Sequence, residues 1–239
     1  MMYKHSWSII AEIKKYKLSM KISILITNFN KSQVVDRAIR SAENQIFLNH
    51  KLEIILVDDA SRDSPNLWLK KYDGSEITKV IYLEENQGVA VASNIAFKES
   101  SGDYIMRLDA DDYINQFYCE VACELLVHNK VDYVYSDILQ VNMYGDKLGT
   151  IRRDIKENLL EYGAGLVLRR SVIDELGYFD ASLRNCEDRD FILKLDKAGV
   201  KGFHLGVPYY RYYSTPDSLT KKSDRTKIKK EINEKWNLK

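Results

Sequence analysis

The sharpest chemical feature of the sequence is Asp109-Ala110-Asp111-Asp112, three carboxylates in four residues directly after the apolar run Tyr104 to Leu108. Carboxylates crowded into one turn repel one another unless a cation or hydrogen-bond donors neutralise them. Ligands that are all oxygen suit Mg²⁺ or Mn²⁺, commonly shared with substrate phosphates. The competing reading is a solvated acidic turn capping the following helix, the ordinary meaning of a lone Asp-x-Asp. A calcium loop is excluded: Glu120 does fall at the twelfth position counted from Asp109, but Ile114 stands where that loop needs Gly and Tyr113 where it needs a ligand.

Other chemistry is quickly removed. There is no Gly-x-x-x-x-Gly-Lys-Ser/Thr loop and no Gly-x-Gly-x-x-Gly after the first strand, so P-loop and dinucleotide-binding enzymes are disfavoured. A phosphatase that forms an aspartyl phosphate needs its Asp-x-Asp after the first strand, whereas here it follows the fourth. A nucleotidyltransferase would carry a glycine-rich, basic loop after strand one, and Thr27-Asn28-Phe29-Asn30 is neither. Cys119 and Cys123, four apart on a helical pattern, read as small apolar side chains on one buried face, and no zinc site is expected.

The elements that must position the acidic turn repeat between Lys21 and Asp112. Strand patterns cover 22–27, 52–58, 79–83 and 104–108, with helical stretches at 34–42, 67–72 and 89–99 between them. Such alternation predicts a parallel sheet covered on both faces. Ligands bind beyond the carboxyl ends of strands in such sheets. All four ends are polar here: Thr27 to Asn30, Asp58 to Ser61, Glu85 to Gly88, and Asp109 to Asp112. After Asp112 the pattern is mixed, with a helix over 117–129, a Tyr-rich strand over 131–136, a hairpin turn at Asn142 to Gly145, an apolar strand opened by Gly163-Ala164-Gly165, and a helix over 190–198 preceded by Glu187-Asp188.

Length and charge bound the rest. The 239 residues suit one large α/β domain, and 45% hydrophobic residues with only three prolines describe a folded chain with a sizeable core. Thirty-six basic against 35 acidic side chains leave a net charge of +1, too little field to hold a polyanion, so nucleic acid is not expected as a partner. No apolar run approaches the roughly 20 residues that cross a bilayer. Three cysteines, an odd number, with no secretory signal before the first strand point to a reducing cytoplasm.

Thr27…Asn30, Val57-Asp58-Asp59-Ala60-Ser61, Asn86-Gln87-Gly88 with Asn94, Leu108-Asp109-Ala110-Asp111-Asp112, Gly177-Tyr178-Phe179-Asp180 and Glu187-Asp188, taken in order and spacing from about Lys21 to Thr220, resemble family-two inverting glycosyltransferases of GT-A fold, as found in bacterial surface-glycan synthesis. The resemblance implies a single Rossmann-like α/β domain: a mostly parallel central sheet flanked by helices, with a smaller mixed sheet toward the acceptor side. It divides the chain into an extension (1–20), a catalytic domain (21–220, nucleotide-binding to 112 and acceptor-binding after it) and a basic tail (221–239). It further implies a donor that is a nucleotide diphosphate sugar, UDP by analogy, and a glycan or lipid-linked glycan acceptor. Thr27, Asn30, Asp59, Gly88, Asn94 and Asp109 correspond to nucleotide-binding positions. Asp111, with Asp109, corresponds to the ligands of Mn²⁺ or Mg²⁺, Asp188 to the catalytic base, and Glu187 to a group supporting the base or the acceptor. For Glu187 and Asp188, capping of the helix that follows is the plainer reading, and the two roles are compatible.

The sequence departs from the family in three ways. Ser93 stands before Asn94, where an Arg that can meet donor phosphates is common. Tyr213 follows Tyr209-Tyr210-Arg211-Tyr212, where a His ligand is common. The long acceptor modules and membrane helices of processive relatives are absent, which implies one sugar added per encounter. A catalytically silent nucleotide-sugar-binding homologue, or an interaction protein, is the alternative from another class; retention of Asp109, Asp111 and Asp188 opposes it. His204 reads as a structural histidine. Ile228, Ile232 and Trp236, spaced by four among lysines, predict an amphipathic helix with a basic side. It would either rest on the inner face of a membrane or lie against the domain.

Overall fold

The computed structural model describes residues 19–63, 69–72, 74–154, 156–214 and 225–238. The upstream extension before residue 19, the first two residues of the helix expected at 67–72 and the start of the basic tail lie outside the described residues.

Strands β1 (Lys21–Asn28), β2 (Lys51–Asp58), β3 (Thr78–Tyr82) and β4 (Tyr104–Asp109) lie parallel in the order β3-β2-β1-β4, as the alternating pattern predicts. β1 is covered on both faces. Ile22, Ile24 and Ile26 enter one core and Leu25 the other, all without solvent exposure, which is why its sequence is a nearly unbroken apolar run. Helix α1 (Val35–Glu43) buries Val35, Ala38, Ile39 and Ala42, the i, i+3, i+4, i+7 face, in the first core. Helix α2 (Val89–Glu99) buries Ala90, Ala92 and Ala96 in the second. Within the expected helix at 67–72, Lys70–Tyr72 forms a 3₁₀ turn, tied down by Tyr72 Oη donating to Asp36 at 2.7 Å.

The remaining elements are β5 (Tyr113–Ile114), α3 (Tyr118–His128), β6 (Tyr133–Val141), β7 (Lys147–Ile151), α4 (Lys156–Glu161), β8 (Val167–Arg169), α5 (Arg170–Leu176), α6 (Glu187–Lys197), β9 (Gly202–Tyr213) and α7 (Thr226–Lys235). The β6–β7 hairpin turns where expected, with Asn142 Oδ1 accepting the Tyr144 and Asp146 amides. The mixed part is not a second sheet. β8 pairs antiparallel with β4, and the order runs on as β4-β8-β6-β9-β5, so one nine-stranded sheet underlies both halves.

β9 runs parallel to β6 with a break in register, Ser136 facing Leu205 and Ile138 facing Tyr210. Pro208, which has no amide to donate, sits in that bulge. Asp137, skipped on β6, accepts the Arg153 amide and meets His204 Nε2 at 2.7 Å, which gives His204 the structural partner expected of it.

The carboxyl-terminal helix α7 uses its apolar face within the domain. Ile232 is 2% exposed, Ile228, Trp236 and Leu238 join it against the second core, and Trp236 Nε1 donates to Asp190 of α6 at 2.7 Å. Lys229 reaches Glu161 at 2.6 Å. The face expected to meet a membrane is therefore spent on α6, and of the two expectations the intramolecular one describes the helix. No helix among the described residues is long and apolar enough to cross a membrane. All three cysteines are free and buried, Cys119 and Cys123 in the first core.

Candidate active site

The parallel strands end at one edge of the sheet, and the first turn of α6 comes to the same place. Two hollows meet there and share Phe29. The larger, about 860 Å³, lies over the ends of β1 to β3 and is lined by Asn30, Asp58, Ser61, Arg62 and Asn86. The smaller, about 230 Å³, gathers Thr27, Asp109, Asp111, Glu187 and Asp188, with Tyr210 beneath.

The wall of the larger hollow is built by short polar bonds. Asp58 accepts from Asn28 Nδ2 at 2.6 Å and Ser61 Oγ at 2.7 Å, while Asn30 Oδ1 accepts the Arg62 amide at 2.7 Å. Asn30 and Ala60 have φ of +53° and +57°, left-handed values costly for residues with a Cβ and found where a binding edge must turn sharply. Two expected nucleotide ligands are otherwise engaged. Asp59 is buried and accepts the Gln87 and Gly88 amides and Asn86 Nδ2 at 2.7 to 2.8 Å, so it shapes the third strand-end loop, and Asp58 faces the hollow in its stead. Asn94 bonds both the amide and the carbonyl of Phe179, fastening α2 to the segment before α6. Its amide group is thus satisfied within the fold. Gly88 caps α2 with φ +92° and ψ 159°, a conformation closed to residues with a side chain.

The acidic turn is neutralised one carboxylate at a time. Asp111 Oδ2 pairs with Lys31 Nζ at 2.6 Å. Asp112, 1% exposed, accepts from Tyr210 Oη at 2.7 Å and from the Tyr213 amide at 2.8 Å, so it pins β9 to the turn, and burial followed by the charges of Asp111 and Asp109 pushes its pKa well up. Tyr213 thus acts through its main chain, and its ring stacks on Arg37. Asp109 Oδ1 meets Arg107 Nη1 at 2.6 Å.

Arg107 is the hub of the smaller hollow. Its second nitrogen, Nη2, lies 2.6 Å from Asp188 Oδ2, and Nη1 is 3.7 Å from Glu187 Oε1. Burial opposes the charge on this guanidinium, but Asp109, Asp188 and Glu187 outweigh it and hold its pKa well above the ordinary value. Burial raises Asp188 to about 6, with Arg107 opposing and Glu187 adding to the rise; burial raises Asp109 to about 6 likewise, again against Arg107.

Helix α6 begins at Glu187, three residues earlier than its pattern predicts, because Cys186 takes the N-cap position in the left-handed conformation with no capping side chain. Asp188 consequently lies inside the first turn and spends its carboxylate on Arg107, which corrects the capping reading for this residue. Gly163 makes that approach possible: a Cβ there would stand 2.5 Å from Asp188 Cβ. Arg153, fully buried, fixes the turn by donating from Nη1 to the Tyr162 and Ala164 carbonyls.

Sequence reasoning did not find Arg107, Lys31, Arg225 or the role of Gly163. One signal was available, since an Arg inside an apolar strand must be paired if it is buried. Asp109 and Asp111 form an all-oxygen pair facing the hollow, with Lys31 now supplying positive charge to Asp111, and this donor set fits a hard divalent cation. His50, Glu120 and Glu124 also converge, away from this edge. There the Met20 amide points at His50 Nδ1, which leaves the ring proton on Nε2 toward Glu124, so the converging nitrogen is a donor.

The profile of Glycosyl transferase family 2 matches residues 23–184. The chain belongs to this family. Among family 2 relatives, the uncharacterized glycosyltransferase YwdF of Bacillus subtilis is 32% identical over 192 residues, covering 74% of this chain and 69% of YwdF. The poly(ribitol-phosphate) beta-N-acetylglucosaminyltransferase TarS of Staphylococcus aureus is 27% identical over 192 residues, covering 73% of this chain but 32% of TarS, so the chain spans about a third of that protein. The crystal structure of S. aureus TarS 1–349 in complex with UDP-GlcNAc matches with a TM-score of 0.72 at 20% identity, covering 89% of this chain and 65% of that one. The GT-A arrangement expected of family 2 is therefore the fold of this chain.

Proposed function

We propose that this family 2 glycosyltransferase moves one sugar, with inversion, from a nucleotide diphosphate sugar, UDP-linked, to a hydroxyl of a surface glycan or lipid-linked glycan acceptor, in the cytoplasm where such donors are made. The observation that carries the reading is the pairing of Asp109 and Asp188 across one guanidinium, which brings a donor-side carboxylate and an acceptor-side carboxylate side by side into the lining of the same hollow. That TarS is found with UDP and with UDP-GlcNAc supports a UDP-linked donor here.

The nucleoside lies in the larger hollow and the diphosphate reaches over Thr27 toward the acidic turn. Asp188 takes the proton of the acceptor hydroxyl as its oxygen bonds the anomeric carbon, and the bond from that carbon to the diphosphate breaks with its electron pair leaving on the β-phosphate oxygen. Proton removal by a placed carboxylate contributes about 10²–10⁴-fold. Asp111 and Asp109 would hold a Mn²⁺ or Mg²⁺, which would supply charge stabilisation to the departing diphosphate. Tyr212, Tyr213 and Tyr162 wall the side away from the nucleoside and offer ring faces to a sugar.

A thermal-shift panel of UDP-, GDP-, CDP- and TDP-sugars with and without Mn²⁺ tests the reading, because a ligand of the native state raises stability by mass action. UDP-sugars are expected to stabilise, more so with Mn²⁺. No response to any nucleotide sugar rejects the donor assignment.

A further inference from the structure

The family's common Arg before Asn94 is Ser93 here, and its site cannot be served from that position. Ser93 is fully buried on α2, with its hydroxyl unbonded among the described residues, so a side chain there points into packing and brings no charge to the hollow. Among the described residues four cations do line the hollow: Lys31, Arg107, Arg184 and Arg225. Three are engaged, Lys31 with Asp111, Arg107 with Asp109 and Asp188, and Arg225 with Cys186 Sγ at 3.1 Å and Glu161 at 3.7 Å.

Arg184 differs. It is exposed, and no carboxylate among the described residues stands within ion-pair distance of it. It lies across Gly88, where a Cβ would be 3.1 Å from its Nη1 and 3.2 Å from its Cδ, and so rests at the start of α2. A cation at the positive end of a helix gains nothing from the fold, and the charge is favourable only with an anion between the two. Gly88 is thus needed twice, for its backbone conformation and for the room it leaves to this guanidinium.

We propose that Arg184 is a donor-phosphate ligand of this enzyme, supplying from the segment before α6 the charge that Ser93 does not supply from α2. The proposal rests on the reading of the hollow as a nucleotide diphosphate site. A planar fork with both edges free suits two phosphate oxygens at once, which a lysine at the same place would hold less well.

Calorimetric titration of the full chain in Mn²⁺ with UDP, UMP and uridine, comparing parent, Arg184→Met and Arg184→Lys, tests it. The Met variant keeps the stem packed on Gly88, and its unliganded melting midpoint is expected to match the parent. UDP affinity should fall roughly ten- to a hundredfold in Arg184→Met, as loss of a charged hydrogen bond implies, with uridine affinity unchanged and Arg184→Lys in between. If Arg184→Met binds UDP within twofold of the parent, the assignment to Arg184 is overturned while the donor reading stands. If the parent prefers GDP, CDP or TDP, the same comparison with that diphosphate decides; if it binds none, donor reading and assignment fail together.

Discussion

Arg107 Nη2 lies 2.6 Å from Asp188 Oδ2, and this contact carries a residue of the central sheet to the first turn of a helix 81 positions later in the chain. The other guanidinium nitrogen holds Asp109. Arg107→Met would strand both carboxylates beside apolar packing, and breaking a buried pair costs about 3–5 kcal/mol. The expected outcome is a loss of that order in urea unfolding. Arg107→Lys should recover part of the stability, yet one ammonium cannot span two carboxylates, so transfer should stay well below the parental rate. Parental transfer in Arg107→Lys would mean that charge alone suffices.

Activity and stability should respond to pH in opposite directions around Asp188. Its pKa in the fold, about 6, lies above the ordinary carboxylate value, so the protonated form is favoured by folding. The stability this group contributes is complete below the ordinary value near 4 and is lost as pH rises through 6. With Asp188 as the proposed base, transfer would need the ionised form and should rise over the same interval. Asp188→Asn should abolish transfer, keep donor binding and flatten part of the fall in stability between pH 4.5 and 7. Identical pH dependence of unfolding in parent and variant would remove Asp188 as the source.

A divalent cation held by Asp111 would have to displace Lys31 from Oδ2. Lys31→Met should therefore tighten binding of Mn²⁺ alone by roughly 3- to 10-fold, the size expected of a partly exposed ion pair, whereas Asp111→Ala should abolish it without unfolding the protein. Electron paramagnetic resonance of free Mn²⁺ reads both without nucleotide. Weaker Mn²⁺ binding in Lys31→Met would show that the lysine assists the cation.

Gly163→Ala places a methyl 2.5 Å from Asp188 Cβ, a distance that forces one of them to move. Transfer should drop by roughly 10²-fold, since a shift of about 1 Å at a reacting group costs that much, with a stability loss of about 1–3 kcal/mol from overpacking. Measuring transfer and unfolding on the same preparation separates the two. An unchanged rate would place the base elsewhere.

The parallel half was legible because each strand announces itself by a short, mainly apolar run ending in polar residues, and the strand ends then follow from topology. What stayed hidden are contacts between distant positions. Nothing near Asp112 foretells that Tyr210 and Tyr213, 98 and 101 residues on, will bind it, nor that β8 will join the mixed strands to the parallel ones. Asn94 and Asp59 show a different limit, for a motif gives the position of a side chain but not its direction, and both point into the fold. The start of α6 was misplaced because its N-cap is a left-handed Cys186, outside the Ser, Thr, Asp and Asn signals that mark most helix starts.

The unbroken sheet beneath both halves limits how this enzyme can move. Strands β4, β8, β6 and β9 are bonded in series between the parallel strands under the larger hollow and the tyrosine wall of the smaller one, and among the described residues no linker separates them. Hinge closure of two lobes, with its microsecond-to-millisecond rearrangements, is not open to such a body. Substrate capture must instead proceed by faster, local shifts of side chains and connections above a floor that stays still.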